Sequence, residues 1–407
     1  MKIYDELKVR GIVSQSTNEE KVEDIINNGK AVFYMGCDPT ADSLHVGHFV
    51  QLMMISRLQK CGHIPILLFG GGTGYIGDPS GKNSMRRMMT KEEIEHNVEC
   101  FKSQVSKFMD ISKMRFVNNA DWLLGLNYIE LLRDTGIFFN VNKMLTYECY
   151  KNRLKDGLTF LELNYMIMQS YDFWYLNKKY GCILQIGGND QWSNIISGVE
   201  LVRKKEGKEV FGLTSNLLTT SDGKKMGKTE NGAIWLDPNK TSPYDFYQYW
   251  RNVKDEDTVK CLKMLSSIDI DEIIEFEKLS GSELNKVKEI LSYDLTEKIH
   301  GKSEAENAKN ASHSIFVSKN SNANIPVKYV SFDEDEINIV DLMFKSGVVS
   351  SKSEARRLIL QNGIMVNSKI ANNELSIKHF DLEDGIILRK GKKTFFKIKF
   401  EPLGPKK

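Results

Sequence analysis

Two histidines three residues apart in His45-Val-Gly-His48, and a lysine cluster far downstream in Lys224-Lys225-Met-Gly-Lys228-Thr229, are the residues of this chain best suited to chemistry. Each alone is weak, because paired histidines are common in cores and lysine-rich loops are usually solvated. Together they point to adenylate chemistry. His45 and His48 fall at the opening turn of a predicted helix, directly after an apolar strand. Unpaired backbone N–H groups and the helix dipole favour a phosphate there. Gly47 would let a nucleotide approach the backbone closely. Attack on the α-phosphorus of ATP by a carboxylate needs no protein nucleophile, only positioning and neutralisation of charge. Thr40, His45 and His48 supply donors for that task, and Lys82, Arg86, Lys225 and Lys228 supply charge. Read alone, Lys82 to Arg87 is a solvated basic loop; the company of the other motifs makes it part of a phosphate site.

A second constellation is Tyr165, Gln169 and Asp172, spaced i, i+4 and i+7 so that a helix puts all three on one face. Thr159-x-x-Glu162 offers that helix a capping box, and Leu161, Leu163, Met166, Ile167 and Met168 give it an apolar body. Polar groups buried on such a helix need partners. A bound substrate could serve, and so could neighbouring loops or water.

The elements that position these residues read as follows. Ala31–Met35 is a buried strand, Leu44–Lys60 an amphipathic helix stopped near Gly62, and Ile64–Phe69 a second buried strand. This βαβ unit implies parallel strands with a ligand crevice at their carboxyl ends, where Gly36 and Gly70-Gly-Gly-Thr-Gly74 fall. The glycine run lacks the Gly-Lys-Ser/Thr ending of a P-loop and reads as a close-approach wall. Further strands are expected at Met114–Val117, Cys182–Ile186 and Phe211–Leu213, and from Ser242 to Ala311 the pattern is wholly helical. Ser318 to Pro326 is polar and turn-rich, a linker. Beyond it, Ser351 with Glu354 forms a capping box for a helix to Gln361, and Ile364–Val366 is a strand. A chain of 407 residues implies two or three domains. Its N-terminus has early acids and no signal-peptide core, and no run approaches the ~20 apolar residues of a membrane span, so a cytoplasmic location is expected. The six scattered cysteines form no Cys-x-x-Cys pair, which points to reduced thiols and no protein metal site. Net charge is only +2, yet Ile386 to Phe400 carries six Lys or Arg and no acid, which suits a polyanionic partner.

With these residues goes a resemblance. The two motifs resemble the signatures of class I aminoacyl-tRNA synthetases. Tyr34-x-Gly36-x-Asp38-Pro-Thr40, Gly77-Asp78-Pro-Ser-Gly-Lys82, Asn164-Tyr165 through Asp172, and Gln185-Ile-Gly-Gly-Asn-Asp190-Gln191-Trp192 resemble the bacterial-type tyrosyl branch over nearly the whole chain. One departure stands out: Gly227 and Thr229 occupy places that the general class pattern gives to serines. The resemblance implies an α/β fold with a Rossmann-like parallel-sheet catalytic domain (1–220, insertion at about 121–156) and a mobile lysine-motif loop and linker (221–241). An all-helical domain (242–317), a linker (318–330) and a small basic α+β RNA-binding module (331–407) follow. It implies activation of L-tyrosine by ATP, with magnesium, and transfer to the terminal adenosine of tRNA(Tyr). By the same resemblance Asp78, Tyr165 and Gln169 take the substrate ammonium, Tyr34 and Asp172 take the phenol hydroxyl, and Gln185 joins the tyrosine pocket. Gly36, Asp38, Gly47, Gly187, Asp190, Gln191 and Lys228 hold ATP, Asp190 suiting a ribose hydroxyl unless it serves as a helix cap. Thr229 belongs to the catalytic loop, and the insertion forms a homodimer interface.

At the far end, Lys352 and Arg356 lie one helical turn apart with Arg357 beside them, and Arg389-Lys390-Gly-Lys392-Lys393 follows. A basic face of this kind suits RNA phosphates, giving affinity rather than sequence reading. Two rivals are a nucleotidyltransferase that uses the His-x-x-His helix without tRNA, and an RNA-binding protein that has lost catalysis. The pocket helix, the lysine motif and the basic module oppose the first; intact His45, His48, Lys225 and Lys228 oppose the second.

Overall fold

The computed structural model describes residues 1–80, 89–107, 109–229, 232–317, 326–332, 334–367, 369–383, 385–391 and 394–401. The chain divides into two compact units, Met1–Lys302 and Ser303–Lys407. In the first, one sheet contains β1 (Val13–Ser16), β2 (Val32–Cys37), β3 (Ile64–Phe69), β4 (Arg115–Asn118), β5 (Leu184–Gly188) and β6 (Phe211–Ser215). Their order is β1-β6-β5-β2-β3-β4, parallel throughout except for β1, which runs antiparallel along β6 at the edge. The chain leaves β2 on one side for β3 and β4 and returns on the other for β5. That reversal opens a crevice at the carboxyl ends of β2 and β5, the place where doubly wound sheets bind ligands.

Four helices matter most: α1 (Val46–Lys60), α2 (Phe160–Tyr180), α3 (Trp192–Glu206) and α4 (Pro243–Arg251). The βαβ expectation holds, with β2 extended two residues to Cys37 and α1 starting after His45. The edge strand β1 has no counterpart in the sequence reading, since four residues, none of them buried, carry too little periodicity. Amphipathicity of α1 is overturned: eleven of its fifteen residues are buried, including Arg57 and Gln59, because the sheet covers one side and later helices the other. Arg57 donates to the carbonyls of Met264 and Ser266, and Arg10 to those of Lys263 and Ile268. Residues from Phe246 and Trp250 to Leu291 and Ile299 share one core with Leu7, Phe33 and Val46 of the sheet region.

The pocket helix α2 begins as its sequence dictates. Thr159 Oγ1 accepts from the Glu162 N–H at 3.2 Å and the Glu162 carboxylate accepts from the Thr159 N–H at 3.0 Å, while Gly181, at φ +65°, ends the helix in the left-handed region. Glu162 also pairs with Arg153 at 2.9 Å, both side chains being at most 5% exposed, which ties the insertion to the pocket helix.

The second unit has its own core of Ile339, Leu342, Met343, Ala355, Ile359, Leu388 and Ile398. Its five-stranded sheet has Thr394–Phe400 between Ile386–Lys390 (antiparallel) and Val327–Val330 (parallel), with helices Ile339–Lys345 and Lys352–Leu360. The box expected at Ser351 is half made. Ser351 Oγ accepts from the Glu354 N–H, but the Glu354 carboxylate turns to the N–H and hydroxyl of Ser350. Most of the expected linker, 318–325, lies outside the described residues.

Arg153→Ala would leave a buried carboxylate without its cation. The expected outcome is a loss of stability, read as a lower chemical-denaturation midpoint. The paired replacement with Glu162→Gln should cost less than Arg153→Ala alone.

Candidate active site

His45 approaches in extended conformation and caps α1, its Nδ1 accepting from the Gly47 N–H at 3.0 Å. His48 Nδ1 accepts from the His45 N–H at 3.2 Å, and the two rings stack with centroids 4.1 Å apart. In each ring the remaining N–H therefore sits at Nε2. Burial, with His45 beside it, pushes the His48 pKa down to about 3, so His48 is a neutral donor. The other early amides of the helix are used as well: the Val46 N–H donates to the Ile234 carbonyl and the His48 N–H to the His45 carbonyl. The expectation of unpaired backbone donors is thus corrected. Gly47, too, has a different reason from the one expected: a Cβ there would lie 2.7 Å from His45 Cε1, so the glycine makes room for the capping imidazole.

In front of this helix a cleft of about 520 Å³ runs across β2 and β5. It brings together Tyr34, Gly36, Asp38, Thr40, His45, Gly47, His48, Asp78, Tyr165, Gln169, Asp172, Gln185, Gly187, Asp190, Gln191 and Lys225. Three carboxylates line it, each with neutral donors among the described residues. Asp172 accepts from Asn119 Nδ2 at 2.9 Å and Trp122 Nε1 at 2.8 Å. Asp78 accepts from Gln191 Nε2 at 2.6 Å and the Ser80 N–H at 2.9 Å. Asp38 accepts from Tyr165 Oη at 3.0 Å and Thr73 Oγ1 at 2.9 Å. Desolvation raises Asp172 to about 7 and Asp78 to about 6, with the negative charge of Asp38 adding to both. Tyr34 Oη, Gln169 Oε1 and Gln185 Oε1 are buried in the same cleft without a hydrogen-bond partner among the described residues.

Several residues have tasks beyond the expected ones. Gln191, read as an ATP residue, spends its amide on Asp78; Asp38, read likewise, faces Tyr165. The wall of glycines makes room for protein side chains: a Cβ at Gly70 would sit 2.0 Å from Asp38 Oδ1, and at Gly71 2.1 Å from Asn118 Oδ1. At Gly36 it would meet only Leu68, at 3.7 Å, which keeps the close-approach reading there. Thr73, Asn119 and Trp122 were missed. Trp122 and Asn119 lie in the insertion and the β4 exit, with no local pattern to mark them.

The lysine motif closes the cleft. Lys225 Nζ lies 3.9 Å from Asp190 Oδ2 at its mouth. Gly227, at φ +84°, packs on Val46, where a Cβ would approach Val46 Cβ to 2.8 Å, so a serine at this place has no room. Lys228 and Thr229 form a short strand against Gly232–Ala233. Lys82 and Arg86 lie outside the described residues, as do Lys392 and Lys393. In the second unit Arg356 and Arg357 are exposed. Lys352 pairs with Asp341 at 2.6 Å, and Lys390 with Glu354 at 2.8 Å. Lys390 thus serves the unit's own packing, and its bond holds Glu354 down to about 2. Arg389 Nε is buried.

Residues 27–317 match the family described as tRNA synthetases class I (W and Y), and residues 319–398 match the tyrosine–tRNA ligase SYY-like C-terminal domain. The chain is 53% identical over 403 residues to the tyrosine–tRNA ligase of Acetivibrio thermocellus, covering 98% of this chain and 99% of that protein. Identity to the tyrosine–tRNA ligase of Clostridium botulinum strain Hall is 53% over 406 residues, with the same coverage. The C-terminally truncated mitochondrial tyrosyl-tRNA synthetase of Aspergillus nidulans superposes with a TM-score of 0.69 at 28% identity, over 77% of this chain and 94% of that one. A tyrosyl-tRNA synthetase from Archaeoglobus fulgidus, solved with L-tyrosine, shares the fold at a TM-score of 0.58 and 19% identity, over 76% of this chain and 100% of that one.

The buried carboxylates set a pH dependence. A carboxyl raised from 3.8 to about 6, as Asp78 is, favours the folded state below pH 4, and that contribution is lost as pH rises through 6. Asp78→Asn should therefore gain stability relative to the native chain between pH 4 and 7, by on the order of 3 kcal/mol, measured by denaturation across that range. A pH-independent difference would exclude the shift.

Proposed function

The chain belongs to the class I tRNA synthetases, as a tyrosine–tRNA ligase, and from that premise we propose how its own residues divide the work. The observation that carries the assignment of the amino-acid pocket is the trio of buried polar atoms at Tyr34, Gln169 and Gln185, set among Asp78, Tyr165 and Asp172. Buried polar atoms are nearly always paired. Tyrosine offers matching groups. Its phenol hydroxyl donates to Asp172 and accepts from Tyr34. An indole N–H could donate to Asp172 but has no lone pair for Tyr34, which argues for tyrosine over tryptophan. The ammonium is assigned to Asp78, Gln169 Oε1 and Tyr165 Oη, whose lone pairs remain once its proton goes to Asp38.

In the first step the substrate carboxylate attacks the α-phosphorus and pyrophosphate leaves. His45 and His48 donate through Nε2, Thr40 stands beside them, and Lys225 and Lys228 neutralise the departing charge; Lys82 and Arg86 are assigned the same task. Asp190 takes a ribose hydroxyl, with Lys225 beside it, while Gly36 and Gly187 let the nucleotide approach. Magnesium enters on the phosphates of ATP, which supply hard oxygen ligands. In the second step the terminal adenosine of tRNA attacks the activated carbonyl and AMP leaves. We assign tRNA phosphates to Arg356 and Arg357 of the second unit, and place the reaction in the cytoplasm, as its relatives are bacterial. The protein is proposed to be a homodimer. Of eighteen exposed large apolar side chains among the described residues, nine fall between Leu124 and Leu161, with Ile137 75% and Ile129 68% exposed. A patch of this kind marks an interface.

Pyrophosphate–ATP exchange should depend on tyrosine; exchange without it, or none with it, would defeat the assignment. Tyr34→Phe should narrow the kcat/KM preference for tyrosine over phenylalanine by about 1 to 2 kcal/mol. Unchanged relative values would remove the Tyr34 contact. For the assembly, light scattering should give a dimer for the native chain and a monomer for Ile129→Asp combined with Ile137→Asp.

A further inference from the structure

We propose that Tyr249 is a positioning residue for the activation step, its hydroxyl fixing the lysine loop against the start of α1. Tyr249 lies on α4, outside every signature motif. Its Oη accepts from the Gly227 N–H at 2.8 Å. The Gly227 carbonyl accepts from the Ile234 N–H at 2.8 Å, and its α-carbon rests on Val46. The peptide between Lys225 and Lys228 is thus held at its donor, its acceptor and its α-carbon, by three separate segments. Ile234 also receives the Val46 N–H, so the same short strip fixes both the loop and the helix start. Next to it, the buried Met226 side chain sits 3.7 Å from Cys261 Sγ. The Tyr249 ring packs edge-on against Trp250 at 4.9 Å, and Trp250 is fully buried. The hydroxyl is therefore a fixed post and cannot follow the loop.

The arrangement also accounts for the departure at 227. Serine in the general pattern would need a Cβ where Val46 stands and a backbone at positive φ. Glycine lets the loop seat directly on the helix, and the anchor comes instead from Tyr249.

This inference rests on the assignment of Lys225 and Lys228 to activation, and the test separates the two. In single-turnover formation of tyrosyl-adenylate by the full chain, Tyr249→Phe keeps the ring and removes only the acceptor. Its rate should fall about three- to tenfold, the size of one lost hydrogen bond, with tyrosine affinity, Tm and transfer from preformed adenylate to tRNA little changed. Gly227→Ala should slow activation more, with some loss of Tm as well, since its Cβ would meet Val46. Tyr247→Phe is the control on the same helix. Tyr247 Oη is buried without a hydrogen-bond partner among the described residues, and its loss should leave activation within about twofold. A native activation rate in Tyr249→Phe overturns the proposal, and so does a fall in rate matched by equal losses of tyrosine affinity and Tm. If Lys225→Ala fails to slow activation, the reading of the lysines fails; if it slows activation and Tyr249→Phe does not, only the role of Tyr249 fails.

Discussion

The cleft depends on how the first turn of α1 satisfies its own amides. A helix start leaves donors without intrahelical partners, and here they are consumed locally: Val46 by the Ile234 carbonyl, Gly47 by His45 Nδ1, His48 by the His45 carbonyl. The consequence is a transfer of donor capacity outward. Each imidazole accepts a backbone N–H at Nδ1 and so carries its own N–H at Nε2, on a ring that lines the cleft. The histidines extend the helix terminus rather than decorate it. Replacing one by a lysine would add charge but lose the acceptor that the turn requires. The same bond from Val46 binds the strip after the lysine motif, which is how two motifs far apart in sequence become one wall.

Much of this was legible, and the reasons differ by residue. The face formed by Tyr165, Gln169 and Asp172 follows from helical spacing and a capping box that forms as written. The βαβ core follows from strands buried on both sides. What could not be read are supports that arrive from elsewhere: Asn119 and Trp122 meet Asp172 across about fifty residues, and Tyr165 meets Asp38 across 127. No period links such pairs. Glycines misled in a consistent way. Gly47, Gly70 and Gly71 looked like room for a nucleotide, but they make room for His45, Asp38 and Asn118, because a sequence shows that space is needed and not what fills it.

Three carboxylates share one small cleft, Asp78 and Asp172 buried and Asp38 half-buried, and among the described residues their donors include amides, hydroxyls and an indole. Neutral donors orient a carboxylate without cancelling its charge, which is why Asp78 and Asp172 remain raised. On the proposed assignment the substrate ammonium would meet these carboxylates, and its binding would stabilise the folded chain by linkage.

On the assignment proposed above, the same logic would spare the phenol end a second checking site. Asp172 is pinned by two donors, so its lone pairs point in a fixed direction, and Tyr34, 1% exposed, is walled in by Phe173 with ring centroids 5.3 Å apart. Neither group can turn to another partner when the hydroxyl is missing. On the proposed assignment, phenylalanine would fit the volume but leave the Tyr34 hydroxyl without a partner and Asp172 without its third donor, a larger loss than a missing methylene could supply; tyrosyl enzymes are the standing example of that asymmetry. Rigidity is what makes the penalty enforceable. Asn119 and Trp122 act through Asp172: by fixing its carboxylate they would limit the relaxation by which the pocket could accommodate the wrong substrate.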